Sequence, residues 1–228
     1  MPSYKKHALF SLIIALPFIH DIFYLSLALI GASMIDMDHH IRKNDLILLA
    51  LSGILLTFSL YILKLPFLVG ISLIIMAFIF YLSKHRGFVH SIWGVLALSF
   101  LLAFSIIGIY ALLHGFNIHE KISLIIISVI LGIITLNKKL LLPFFIIVPV
   151  GIIITKNTDL NMVYVFLAVL IGSLSHILLD LFTPSGIRLF NPLSSKKFKK
   201  NTGAILFVLW IFLVFIYVFR LNNIVFLF

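Results

Sequence analysis

The sequence predicts an all-α, polytopic integral membrane bundle. Hydrophobic residues make up 63% of the 228 positions and charged residues only 11%, with a mean hydropathy of +1.26. A soluble domain of this length has no interior large enough to hide that much apolar surface. The apolar residues also fall into runs of helical length separated by short basic loops. The chain is therefore expected to form a single integral membrane domain over residues 1–228, with about seven or eight apolar helices.

The runs lie near residues 8–34, 46–63, 65–83, 91–113, 122–136, 139–155, 162–182 and 203–220. A helix needs about 20 residues to cross the hydrocarbon, so the runs at 122–136 and 139–155 are short. The first run is interrupted by Pro17, His20 and Asp21. Proline removes a backbone donor and crowds the preceding turn. A bent or re-entrant hairpin is expected there in preference to one straight span, and it would carry His7 and Asp36 to the same side. The run follows Lys5 and Lys6 but lacks the small-residue pattern of a cleavage site, so it is expected to stay in place.

Formal net charge is +10. The basic residues lie in loops between apolar runs, where orientation and anionic headgroups explain them better than nucleic acid does. Membrane lipids are the expected partners, and no nucleic acid is expected. Taking the N-terminus and the loops near 35–45, 84–90, 137–139 and 183–202 as inside collects 13 of the 17 Lys and Arg residues. The positive-inside rule then predicts a multi-pass protein of the cell membrane with these loops in the cytoplasm. The stretch 183–202 is a basic inner-face loop in this scheme, and its SSKKFKKN segment is suited to anchoring at the leaflet.

Three groups of ionisable residues all fall at that inner edge. Asp36, Asp38, His39 and His40 stand together in IDMDHH, His85 and His90 in HRGFVHS, and His176 and Asp180 in SHILLDLFTPSG. Ionisable groups near lipid are costly and are kept there mostly for function. Asp36 and His40 share a face if the first segment is helical, and Asp36, Asp38 and His40 share one if it is extended. The bland alternative is a solvated loop that ends a helix. For HRGFVHS it is a basic juxtamembrane loop, with Ser91 capping the next helix. His176 and Asp180 lie one turn apart on an otherwise apolar helix, a spacing for two ligands or for a ligand and its supporting carboxylate. An interhelical hydrogen bond is the alternative there.

The chain has no cysteine. A metal would be held by imidazole nitrogen and carboxylate oxygen, a donor set for zinc first, with manganese or iron also suited. The candidate ligands are His7, Asp36, Asp38, His39, His85, His90, His176 and Asp180. His90 could instead act as general acid or base. Arg86, with its planar fork, is the candidate for a substrate phosphate or carboxylate, joined by Arg188 and Asn191. His20 and Asp21 at the bend are expected to satisfy backbone groups, and His114, His119 and Glu120 to be solvated on the opposite face.

KKHALFS near the N-terminus, the IDMDH segment, HRGFVHS and GSLSHILLDLFTPSGIRLFNPL together resemble the YdjM-like family of predicted membrane-bound metal-dependent hydrolases, in order and in placement at membrane edges. The family pattern has Pro before the first Asp of its DxDH segment, where this chain has Ile35. The stretch between HRGFVHS and the last motif is long for the family and adds a helical hairpin. The resemblance implies a metal-dependent hydrolase. Location at headgroup depth among basic residues points to a lipid-linked or phosphorylated substrate. Two other readings use the same residues. A metal ion or proton transporter would line a path with them, and a noncatalytic scaffold would close them around a structural ion.

Overall fold

The N-terminal apolar run folds as two short helices, α1 over Tyr4–Ala15 and α2 over Ile22–Ile35. A computed structural model describes residues 4–37, 43–83, 86–155 and 160–225. The break contains Pro17, and Asp21 stands just before α2 with its carboxylate accepting from the backbone N–H of Phe23 at 2.8 Å and of Tyr24 at 3.3 Å. A capping carboxylate satisfies N–H groups that have no partner inside the helix. The expected hairpin is therefore present.

The chain continues through α3 (Lys43–Ile62), α4 (Leu68–Leu82), a single 3-10 turn over Phe88–His90, and α5 (Ile92–Gly115). The helical hairpin α6 (Glu120–Thr135) and α7 (Lys138–Ile154) follows, then α8 (Met162–Leu181) and α9 (Lys200–Val225). Among the described residues there are nine α-helices and no strand, only one antiparallel bridge between Ile187 and Phe198. Three helices are long and apolar enough to cross a membrane: α5, α8 and residues Lys200–Arg220 of α9. The expected seven or eight apolar helices include shorter ones, among them Ile22–Ile35, Leu46–Ile62 and Leu68–Leu82. At 1.5 Å per residue, the 12 and 14 residues of α1 and α2 reach only about 18–21 Å, and α4, α6 and α7 are also short of a full crossing.

α8 is the axis of the bundle, with α1, α2 and α5 packed around it. The α2–α8 approach is close because both helices place glycine at the crossing. A Cβ on Gly172 would stand 1.8 Å from the carbonyl oxygen of Ala28, and one on Gly31 would stand 2.4 Å from that of Val169. Small residues let backbones meet in a medium that supplies no hydrophobic drive between helices. Ser173 donates to the Gly31 carbonyl at 3.1 Å, and Ser99 on α5 donates to Ser173 at 3.4 Å. α2, α8 and α5 are thus tied at one level. α9 leans on this core through Gly203 against Leu181 and Phe182 and through Phe207 against Phe10, and leaves most of its surface exposed.

The two ends of the bundle are built differently. At one end the α1–α2 bend meets the start of α8, where the Asn161 N–H donates to the Tyr24 hydroxyl at 2.8 Å. Lys121 at the start of α6 donates to the carbonyl of Ile153 at the end of α7. At the other end lie His7, Asp36, the 3-10 turn and the last turn of α8.

Candidate metal centre

Asp180 is the centre of that second end. It sits in the last turn of α8 with no solvent exposure. Its Oδ1 faces His7 Nε2 and Arg86 Nη2, each at 3.6 Å, and its Oδ2 faces His90 Nε2 at 3.6 Å and His176 Nε2 at 3.7 Å. His176 Nε2 also stands 3.5 Å from Asp36 Oδ1. The His7 ring stacks on that of His176 with centroids 3.9 Å apart, and the His90 ring meets His176 edge-on. His7, His90 and His176 are all buried.

Local sequence explains each placement. His7 is in the first turn of α1, and the hairpin returns Asp36 to the same level as the residue that ends α2. Ser91 caps α5 by accepting from the Gly94 N–H at 3.1 Å, while its own hydroxyl donates to the carbonyl of Phe88 at 2.7 Å. These bonds hold the 3-10 turn that carries His90 beneath α8. Arg86 takes a positive φ of 58° before that turn and donates to the Ser185 hydroxyl. Thr183 donates to the Asp180 carbonyl at 2.7 Å and shares a 3.2 Å hydrogen bond with Ser185. The TPSG segment thus both ends α8 and holds the guanidinium over its last carboxylate. Gly186 at φ 64° lets the chain turn back, and the Ile92 N–H donates to the Leu189 carbonyl at 2.9 Å.

Donor geometry distinguishes a hydrogen-bonded core from a coordination shell. A hydrogen bond between nitrogen and oxygen spans about 2.7–3.2 Å. Two donors bound to one tetrahedral ion at about 2.0–2.2 Å stand about 3.3–3.6 Å apart. The carboxylate–imidazole separations here are 3.5–3.7 Å. Both carboxylate oxygens of Asp180 and Nε2 of His176 are buried without a hydrogen bond, which is costly for polar groups left to themselves. Two triads, His7–His176–Asp180 and Asp36–His90–His176, each bring three donor atoms within 4.8 Å of one another. With neutral imidazoles, the two carboxylates and Arg86 sum to one negative charge. The group fits a divalent cation in donor type, spacing and charge.

Five of the eight expected ligands, His7, Asp36, His90, His176 and Asp180, are therefore brought together, with Arg86 beside them. Asp38, His39 and His85 lie outside the described residues. Arg188 and Asn191 stand on the loop after α8. Arg188 is exposed, and among the described residues neither side chain forms a hydrogen bond or ion pair with the cluster. His114 and His119 are exposed at the opposite end. Sequence reading passed over Ser185, the partner of Arg86. Its place in the turn directly after the Asp180 helix end was the available signal. It also passed over a cavity of about 680 Å³ that opens onto His7 and Asp36 and reaches Ser52 on α3 and Lys138 on α7.

No curated protein and no solved structure matches the chain significantly. The sequence model of one family, described as YdjM inner membrane protein, matches residues 1–227. Nearly the whole length is covered, so the clustered histidines and aspartates and the helices that carry them all fall within the match. The chain belongs to the YdjM inner membrane protein family.

Proposed function

We propose that the protein is a membrane-embedded, metal-dependent hydrolase whose His/Asp cluster acts on a phosphorylated or lipid-linked substrate at the cytoplasmic membrane edge. The observation that carries this reading is the shell around Asp180: five buried or half-buried donors at coordination spacing, with both Asp180 oxygens and His176 Nε2 free of hydrogen bonds. His7, Asp36, His90, His176 and Asp180 would hold the ion, with zinc the first choice for imidazole and carboxylate donors and manganese or iron also accommodated. Asp38, His39 and His85 are candidates for completing the shell or for a second ion. When bound, a divalent ion supplies Lewis acidity, polarising a phosphoryl or carbonyl oxygen and acidifying water.

The chain's own groups complete the chemistry. Arg86 is held by Ser185 on one side and faces Asp180 on the other. Its remaining donors can take an anionic oxygen in a two-pronged contact and offset charge that develops there. His90, buried beside Asp180, can hold or deliver a proton. Burial of the cluster keeps bulk water from screening these contacts.

Purified protein is expected to contain zinc, manganese or iron, measured by elemental analysis. Arg86→Lys keeps charge but loses the fork, so it should keep the metal and lose most metal-dependent release of phosphate or phosphorylated headgroup from a lipid panel. His90→Ala should lose activity, and its metal content assigns His90 as ligand or as acid/base. Absence of metal and of metal-dependent turnover, with ion flux in proteoliposomes that these substitutions abolish, would replace the hydrolase with a transporter. Orientation has its own test, motivated by the 13 basic residues grouped on one side. Single cysteines at Ser194 and Asn117 in this cysteine-free chain should label from opposite faces, Ser194 from the cytoplasm. Labelling from one face would reject the arrangement.

A further inference from the structure

The cavity beside the cluster joins two of its residues to segments of α3, α6 and α7 that the hydrolytic chemistry leaves unused. His7 and Asp36 bring the cluster to its lining, where Ser33, Ser52 and Thr135 add hydroxyls. Leu49 on α3 and Leu136 and Leu140 flanking the α6–α7 turn supply apolar wall, and Lys138 is the one lysine among its lining residues. Two further lining residues, Leu48 on α3 and Ile134 on α6, are 67% and 51% exposed. The cavity therefore communicates sideways between α3 and α6, where the bundle's outer surface is apolar. Its volume of about 680 Å³ lies inside the roughly 300–1,000 Å³ range of sites that enclose a small ligand.

This arrangement has one hot end and one greasy side. A soluble phosphate ester would leave the leucine wall in contact with water, and an uncharged lipid would leave Lys138 without a partner at the rim. An apolar chain bearing a phosphate satisfies both. The chain gains by leaving water in proportion to its area. A compact ammonium on a flexible stem is a phosphate-binding group that tolerates varied geometry.

We infer that the cavity takes the apolar chain of a lipid phosphate entering sideways between α3 and α6, with the phosphate held between Lys138 and the His7–Asp36 end. The α6–α7 hairpin then sets substrate choice: it walls the chain and carries the lysine that reads the charge. The identity of the reacting end rests on the hydrolase reading above, whereas the selection for chain plus phosphate rests on the cavity.

The test uses the full chain in phosphatidylcholine nanodiscs with a single cysteine at Leu49, a half-buried lining position. The probes are dodecyl phosphate, inorganic phosphate and dodecanol, and the readout is the rate of maleimide labelling. Dodecyl phosphate should slow labelling strongly, while inorganic phosphate and dodecanol leave it unchanged. A control cysteine at Leu209, exposed on α9, should not respond. Lys138→Gln should shift the dodecyl phosphate dependence about tenfold to higher concentration, the size expected for one charged contact, with bound metal as in the parent. Equal protection by dodecanol, no shift in Lys138→Gln, or no protection by dodecyl phosphate would overturn the inference. Protection that persists in a protein without metal or turnover would sink the hydrolase and leave the cavity assignment standing. Turnover of soluble phosphate esters without protection by dodecyl phosphate would do the reverse.

Discussion

Asp21 and Asp180 are the same residue type at opposite ends of one bundle. Asp21 is half-buried and spends its carboxylate on two backbone N–H groups of the helix it begins. Asp180 is fully buried, and neither of its oxygens makes a hydrogen bond. The neighbours repeat the contrast. His119 caps α6, its Nδ1 accepting from the Lys121 N–H, and is exposed. His176 turns a buried Nε2, without a hydrogen bond, toward two carboxylates. Polar groups at the first end complete the backbone. At the second end Ser91 and Thr183 do the same, and the turns they fix carry His90 and Asp180 into the cluster. A buried carboxylate that meets its neighbours at ion-pair distance and makes no hydrogen bond is the more informative one, because such groups are usually hydrogen-bonded.

The largest effect should come from removing the centre of the second end. Asp180→Asn keeps the shape but loses the anionic donor. Its metal affinity should fall by more than the roughly 10–100-fold that losing a group supporting a ligand costs, with a lower thermal midpoint in detergent. Metal retained at the parent level would erase the distinction between the two ends. A smaller loss is expected from Gly172→Val, which touches no donor. Its side chain cannot share space with the Ala28 carbonyl, so α2 must move and carry Asp36 away from His176. Partial loss of metal with near-normal helix content by circular dichroism would tie the site to helix spacing; unchanged metal binding would show that the cluster tolerates a displaced α2. Asp21→Ala should be the mildest, costing about 1 kcal/mol as the loss of one helix cap, with metal binding intact. If Asp21→Ala depletes metal, the ends are not independent.

Part of this organisation is legible in the chain. Pro17, His20 and Asp21 interrupt an apolar run, and the helices break there. Ionisable residues stand out against leucine and isoleucine, so His7, Asp36, Arg86, His90, His176 and Asp180 can be picked out before any fold is known. Their convergence follows once the hairpin and the basic loops fix which helix ends share a side. Other features are silent for a physical reason. A helix in lipid is apolar on its buried face and on its outer face, so no polar periodicity marks which side is which. Leu49, which lines the cavity, and Leu209, which faces outward, look alike in sequence. Spans are hard to count for a related reason. The helices α4, α6 and α7 have 15, 16 and 17 residues, just under the roughly 20 needed to cross, and composition alone cannot resolve them.

The pairing of the first hairpin with α8 also has a consequence in time. α1 and α2 leave the ribosome before the helix they pack against, which follows much later in the chain. At roughly 5–20 residues per second, the roughly 170 residues between His7 and Asp180 take on the order of 10–35 s to make. Throughout that interval the nascent hairpin carries Gly31 and its polar groups with no α8 to receive them. An insertion chaperone, or a temporary partner among the intervening helices, would have its work to do in that window. Slowing elongation after α7 should lengthen the time for which the young chain is open to quality-control proteases.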